Sequence, residues 1–246
     1  MNKVLDPKSQ FLDGPNSRGK ELTFSLKVML QLLKGFRKLH FVGPCITFFG
    51  SARTPKDHIY YQKTSELSRE LSKLGFTIMT GGGPGIMEAA NRGAFERGGK
   101  SVGCAIRLPR EQDVNQYMHK WIVFDFFFVR KVLLLKYSYA FVVMPGGFGT
   151  LDELFETITL IQTAILHHFP VVVMGSEYYS DIQSMILKME REQTISPEDK
   201  QLVLFTDSTD EAVNHIKVYI AENYKVKYKR KAFWLLGEKR LQTNQN

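Results

Sequence analysis

The stretch VVMPGGFGTLDELFETITL, residues 142–160, decides how the chain is read. Its first residues have the character of a buried strand that stops at Pro145, its middle is a glycine-rich turn, and its end carries the apolar spacing of an amphipathic helix. A strand that passes through glycines into a helix is the basic unit of an open parallel sheet. Glycine at that junction admits unusual backbone angles and removes the Cβ that would keep a ligand away, so the free amides of the helix start can face an anion.

The same unit recurs on both sides. Working outward, CITFFG (45–50), FTIMT (76–80), SVGCAI (101–106), WIVFDF (121–126), AFVVMP (140–145), PVVVMG (170–175) and QLVLFT (201–206) read as short buried strands. Helical patterns alternate with most of them: 58–75, 86–99, 129–138, the helix of the opening stretch, 178–193 and 210–224. Leu22, Leu26, Met29, Leu30, Leu33 and Phe36 give 21–39 a further amphipathic helix. The alternation predicts an α/β, Rossmann-like, doubly wound parallel sheet with helices on both faces. The predicted organisation is an N-terminal arm and amphipathic helix over 1–40, a nucleotide-binding catalytic domain over 41–222, and a basic tail over 223–246.

Charge and cysteine content exclude several classes. The chain of 246 residues carries a net charge of +8, but residues 1–40 hold eight Lys/Arg against three acids and residues 223–246 hold seven against one. The body is near neutral, so the charge argues against a nucleic-acid reader. Cys45 and Cys104 lack metal-ligand spacing and read as buried thiols. The start, MNKVLDPKSQFLDG, has no secretory pattern, and the most apolar run is broken by Asp125, Arg130 and Lys131. A cytoplasmic protein that spans no membrane is expected.

In open sheets ligands sit beyond the carboxyl ends of the strands. Three glycine-bearing loops fall there: FGSARTP (49–55), TGGGPGIME (80–88) and MPGGFGTLDE (144–153). Two glycine loops that each follow a strand favour a phosphate-bearing ligand, and the absence of GxxxxGK[ST] and GxGxxG points to a mononucleotide. Two readings stand open for Thr150–Glu153. It matches the [ST]xx[DE] capping box, with Thr150 as the cap and Glu153 reaching back to it. Alternatively, Glu153 is a catalytic carboxylate beside a phosphate site. A pyridoxal decarboxylase is disfavoured, because Lys131 is the one lysine at this edge.

Pro145-Gly146-Gly147-Phe148-Gly149-Thr150-Leu151-Asp152-Glu153 has the form PGGxGTxxE, and with Arg130-Lys131 and the loop at 81–86 it resembles the LONELY GUY phosphoribohydrolases, long labelled possible lysine decarboxylases. The resemblance covers about residues 41–222. It implies hydrolysis of the N-glycosidic bond of a nucleoside 5′-monophosphate, either AMP or a cytokinin riboside 5′-monophosphate, by a homodimer with no metal or organic cofactor. The GGGPGIMEAANRGA wording and the two arms differ from the short plant-type members. Arg130 and Glu153 are the implied catalytic pair. Gly50, Ser51, Gly82, Gly83, Glu111, Lys131, Gly146, Gly147, Gly149, Thr150 and Thr159 are the implied substrate contacts. The alternative from another class is a nucleotide-binding or sensor module without enzymatic activity on the same fold.

Overall fold

The structure is a computed structural model that describes residues 14–107, 114–167 and 169–223. Seven strands form one sheet: β1 (Cys45–Phe49), β2 (Thr77–Thr80), β3 (Ser101–Ile106), β4 (Lys120–Phe124), β5 (Ser138–Val143), β6 (Val171–Met174) and β7 (Leu204–Thr206). Their order is β4-β3-β2-β1-β5-β6-β7, and every neighbouring pair is parallel. The α-helices are α1 (Arg18–Leu39), α2 (Ile59–Lys73), α3 (Ile86–Glu96), α4 (Phe127–Tyr137), α5 (Phe148–Gln162), α6 (Ser180–Arg191) and α7 (Thr209–Asn223). This is the expected doubly wound α/β architecture.

Alternation along the strands divides the core. Cys45 and Phe49 of β1 enter one apolar cluster with Leu133, Leu134 and Leu154, and the flanks of α1, α4 and α5 pack there. Ile46 and Phe48 enter the other cluster, with Leu67 and Leu71 of α2, Ala90 and Ala94 of α3 and Ile216 of α7. Successive side chains of a strand face opposite ways, so a five-residue run buried throughout serves both layers.

Several boundaries move. Helix α1 begins at Arg18, three residues before the predicted start, and α4 takes in Phe127 and Phe128. Helix α3 begins at Ile86 as expected, with Gly85 as its cap, and ends at Glu96, three residues early. Helix α4 runs straight into β5 without a loop; Ser138 donates to the Leu134 carbonyl at 2.6 Å and meets the Thr47 hydroxyl at 2.6 Å. Among the described residues no helix is long and apolar enough to cross a membrane.

The chain winds outward from β1 through β2 and β3, returns to β5 on the other side of β1, and winds outward again. The loops after β1 and β5 therefore leave adjacent strands for helices on opposite faces. The switch point of the topology lies between them, where open sheets of this kind form their ligand crevice.

Candidate active site

The turn after β5 opens α5 on glycine. The N-cap is Gly147 (φ −88°, ψ −158°), and the first helical residues are Phe148, Gly149 and Thr150. Thr150 already sits in the helix, its amide bonded to the Gly147 carbonyl at 2.9 Å. This corrects the capping-box reading: with the cap at Gly147, Glu153 lies in the second turn and makes no capping bond. The amides of Gly147, Phe148 and Gly149 donate to no group among the described residues, as the first amides of a helix lack intrahelical partners. A Cβ on Gly147 or Gly149 would meet nothing within 4 Å, and Phe148 between them is 93% exposed. Packing within the chain does not demand those two glycines, so the open space above the helix start is the feature they preserve.

Glu153 is 4% exposed. Its Oε1 lies 3.5 Å from Nη2 of Arg130, one turn into α4, a long contact that leaves the guanidinium free to engage a ligand. Arg130 Nε is buried without a hydrogen-bond partner among the described residues, and the guanidinium carbon lies 5.4 Å from the centre of the Phe127 ring. Burial pushes the Glu153 carboxyl up from its ordinary 4.5 to about 7; Arg130 and Lys131 pull it down, and Glu156 and Asp152 add to the rise. A carboxyl poised near neutrality beside a fixed cation has the properties of an acid–base group.

Lys131 points to the outer side of the same helix pair, bonded to Asp152 Oδ2 at 3.0 Å and Glu156 Oε2 at 2.7 Å. Burial lowers its ammonium, but Glu156 and Asp152 raise it further, and the net shift is upward. It ties α4 to α5 and remains a cation.

The other loops meet at Ser51. Its amide donates to the Pro145 carbonyl at 3.0 Å, and its carbonyl accepts the Ile86 amide at 3.0 Å. Gly50 and Gly85 allow this closeness: a Cβ on Gly50 would lie 2.5 Å from Ile86 Cγ2, and one on Gly85 would overlap the Ser51 carbonyl. Gly82 (φ +76°) and Gly83 are buried, and their carbonyls accept from the backbone amide and side chain of Asn115. The loop at 80–88 is thus tied to Ser51 and Asn115, while Gly147, Phe148 and Gly149 of the loop at 144–153 are exposed. Gly146 is buried against Thr150.

The family model described as "Possible lysine decarboxylase" matches residues 87–216, more than half the chain. The Arabidopsis thaliana cytokinin riboside 5′-monophosphate phosphoribohydrolase LOG1 is 33% identical over 175 residues, 70% of this chain and 81% of that protein. LOG3 of the same plant is 30% identical over 190 residues, 76% and 86% of the two chains. The chain belongs to the LONELY GUY family. Among solved structures, the molybdenum cofactor carrier protein of Chlamydomonas reinhardtii matches with a TM-score of 0.53 at 22% identity, covering 73% of this chain and 99% of that one, a likeness of fold.

Not every residue implied by the LONELY GUY resemblance gathers at the crevice of this chain. Thr159 is exposed about three turns along α5, and its hydroxyl donates to the Phe155 carbonyl at 2.7 Å. Glu111 lies outside the described residues. Conversely, sequence reasoning passed over Tyr178 and Tyr179, which donate to the Gly146 and Met144 carbonyls. It also passed over Asn91, fully buried and bonded to Thr80, Ser101 and Asn115. An asparagine within an apolar helix face was the available signal for the second; the tyrosines carried none.

Proposed function

We propose that the protein hydrolyses the N-glycosidic bond of a nucleoside 5′-monophosphate, AMP or a cytokinin riboside 5′-monophosphate, and releases the free base and ribose 5-phosphate. One observation carries the reading: a buried carboxyl, Glu153, lies against Arg130 on the helix whose opening amides are free. In this mechanism the amides of Gly147, Phe148 and Gly149 hold the phosphate, with Arg130 as a further cation at the crevice. Cleavage builds positive charge on the ribose ring, which the Glu153 carboxylate stabilises. Water adds its oxygen to C1′ and one of its protons passes to Glu153; the bond's electron pair leaves with the base, which takes a proton from solvent while Glu153 returns its own to solvent.

The family's curated relatives are named for this reaction on cytokinin nucleotides, which supports the substrate class. A module that only binds nucleotide needs the amides and cations but gains nothing from a buried acid beside the phosphate. The homodimer belongs to the same proposal, supported by exposed Phe127, Phe128 and Val132 on α4 and Phe148 and Phe155 on α5. Sedimentation reads the oligomeric state. Incubation with a panel of nucleoside monophosphates, followed by separation of released bases, tests the reaction. Base release from AMP or a cytokinin nucleotide is expected, with adenosine a poor substrate. Binding without release throughout the panel favours the non-enzymatic module.

A further inference from the structure

Three successive carbonyls in the turn that opens α5 are held from outside. Tyr179 donates its hydroxyl to the Met144 carbonyl at 2.8 Å, the Ser51 amide donates to the Pro145 carbonyl at 3.0 Å, and Tyr178 donates its hydroxyl to the Gly146 carbonyl at 2.8 Å. The peptide bonds are all trans among the described residues, and a trans peptide points its N–H opposite to its C=O. The oxygen that Tyr178 holds belongs to the same peptide as the Gly147 amide. Fixing that oxygen fixes the direction of the amide.

The two tyrosines come from the turn after β6, one strand over. Gly175 (φ +95°) brings this turn against the loop, where a Cβ would lie 2.8 Å from Pro145 Cγ. Tyr179 is fully buried, and its ring meets that of Tyr178 edge-on at 5.0 Å. Burial raises its hydroxyl well above the ordinary phenol range, so it stays protonated and donates. Tyr178 is different: it is 53% exposed, so core filling does not account for its placement, and its defined polar contact is the bond to the loop.

We propose that Tyr178 is a positioning residue for phosphate recognition: by holding the Gly146 carbonyl it aims the Gly147 amide and the opening turn of α5 at the substrate's 5′-phosphate, with Tyr179 as the anchor beneath. The inference rests on the reading of α5 as the phosphate site. Tyr178 acts through the loop, and its hydroxyl is committed to protein.

The test is Tyr178→Phe, which keeps the ring and removes the bond, in the full-length protein. Calorimetric titrations use AMP, inorganic phosphate and adenosine, with a melting curve for each variant. One hydrogen bond's loss of aim corresponds to about a tenfold weaker binding of AMP and of phosphate. Adenosine affinity stays at the parental value, so the AMP-to-adenosine ratio falls about tenfold. In turnover assays KM for AMP rises by more than kcat falls. Equal weakening of AMP and adenosine makes Tyr178 a structural support and overturns the proposal, as does phosphate binding at the parental level. If the parent itself binds AMP no better than adenosine, the phosphate-site reading fails first and this inference with it. Tyr178→Ala serves as the second variant: it loses the same bond and must show the same phosphate-specific defect.

Discussion

Glu153 is a costly residue to bury, and the cost has a sign. A carboxyl whose folded pKa stands above its unfolded value contributes stability that is fully present below about pH 4.5 and is lost as pH rises through about 7. Glu153→Gln removes that titration. Between pH 4.5 and 8 the stability of the variant relative to the parent should therefore improve by up to about 3 kcal/mol, read as a growing difference in melting temperature. A difference that stays flat with pH means the carboxyl titrates normally. The same substitution should slow base release by about a hundredfold or more while nucleotide still binds. Near-parental turnover would remove Glu153 from the mechanism. In the parent, kcat/KM should rise through about pH 7 as the carboxylate forms, and Arg130→Gln should move that limb upward, because it removes the cation that lowers the carboxyl. The sequence showed an acid and a cation of the right types. It could not show which acid was buried, since Asp152, Glu153 and Glu156 share one short stretch and burial depends on α4 lying alongside.

Among the elements, α5 and its turn separate two uses of glycine that look alike in a sequence. Gly149 has open space where a Cβ would be, whereas a Cβ on Gly146 would overlap Thr150 and come within 3.0 Å of the Ser51 amide. Gly149→Ala should therefore keep or raise the melting temperature, because alanine suits a helix better by up to about 1 kcal/mol. It should also weaken AMP binding about tenfold or more, because the methyl enters the space of the anion. Gly146→Ala should instead lose stability, by about 1–3 kcal/mol, as overpacked sites do. Thermal melts paired with titrations distinguish the two, and a stability loss in Gly149→Ala would show that packing, not ligand, demands that glycine. The strands and helices themselves were legible because their apolar periods are local. The tyrosine clamp was not, since Tyr178 and Gly146 are 32 residues apart and meet only once β5 and β6 pair. The two readings of Thr150–Glu153 stood open in the sequence because the capping pattern fits equally well two residues inside a helix that begins earlier.

At the scale of the whole molecule, strand order was the part that periodicity could not supply. The crevice exists because the return from β4 places β5 beside β1, and nothing in the spacing of apolar residues says where a strand inserts. Residues 21–39 read as an amphipathic helix, and α1 does pack on the body, but through Val28, Leu32 and Phe36, while Leu22, Leu26, Met29, Leu30 and Leu33 of the predicted stripe stay exposed. Gln31 exchanges hydrogen bonds with Asp125, its side chain reaching Oδ2 at 2.7 Å and accepting the Asp125 amide at 2.9 Å. Phe24 packs on Phe126 with ring centres 4.9 Å apart, and a Cβ on Gly35 would overlap Leu133. Asp125 and Phe126 lead directly into α4, one turn before Arg130. Deleting residues 1–40 should thus uncover Leu133 and Phe124, lower the melting temperature by several degrees, and cut base release in whatever protein remains folded, because α4 loses its brace. Deleting residues 224–246 should leave turnover near parental, since every described residue of the crevice lies between Gly50 and Tyr179. The paired truncations are read by melting curves and base release. Equal tolerance of both would return α1 to the status of an appended arm, and loss of turnover from the C-terminal deletion in a folded protein would mean that the tail reaches the site.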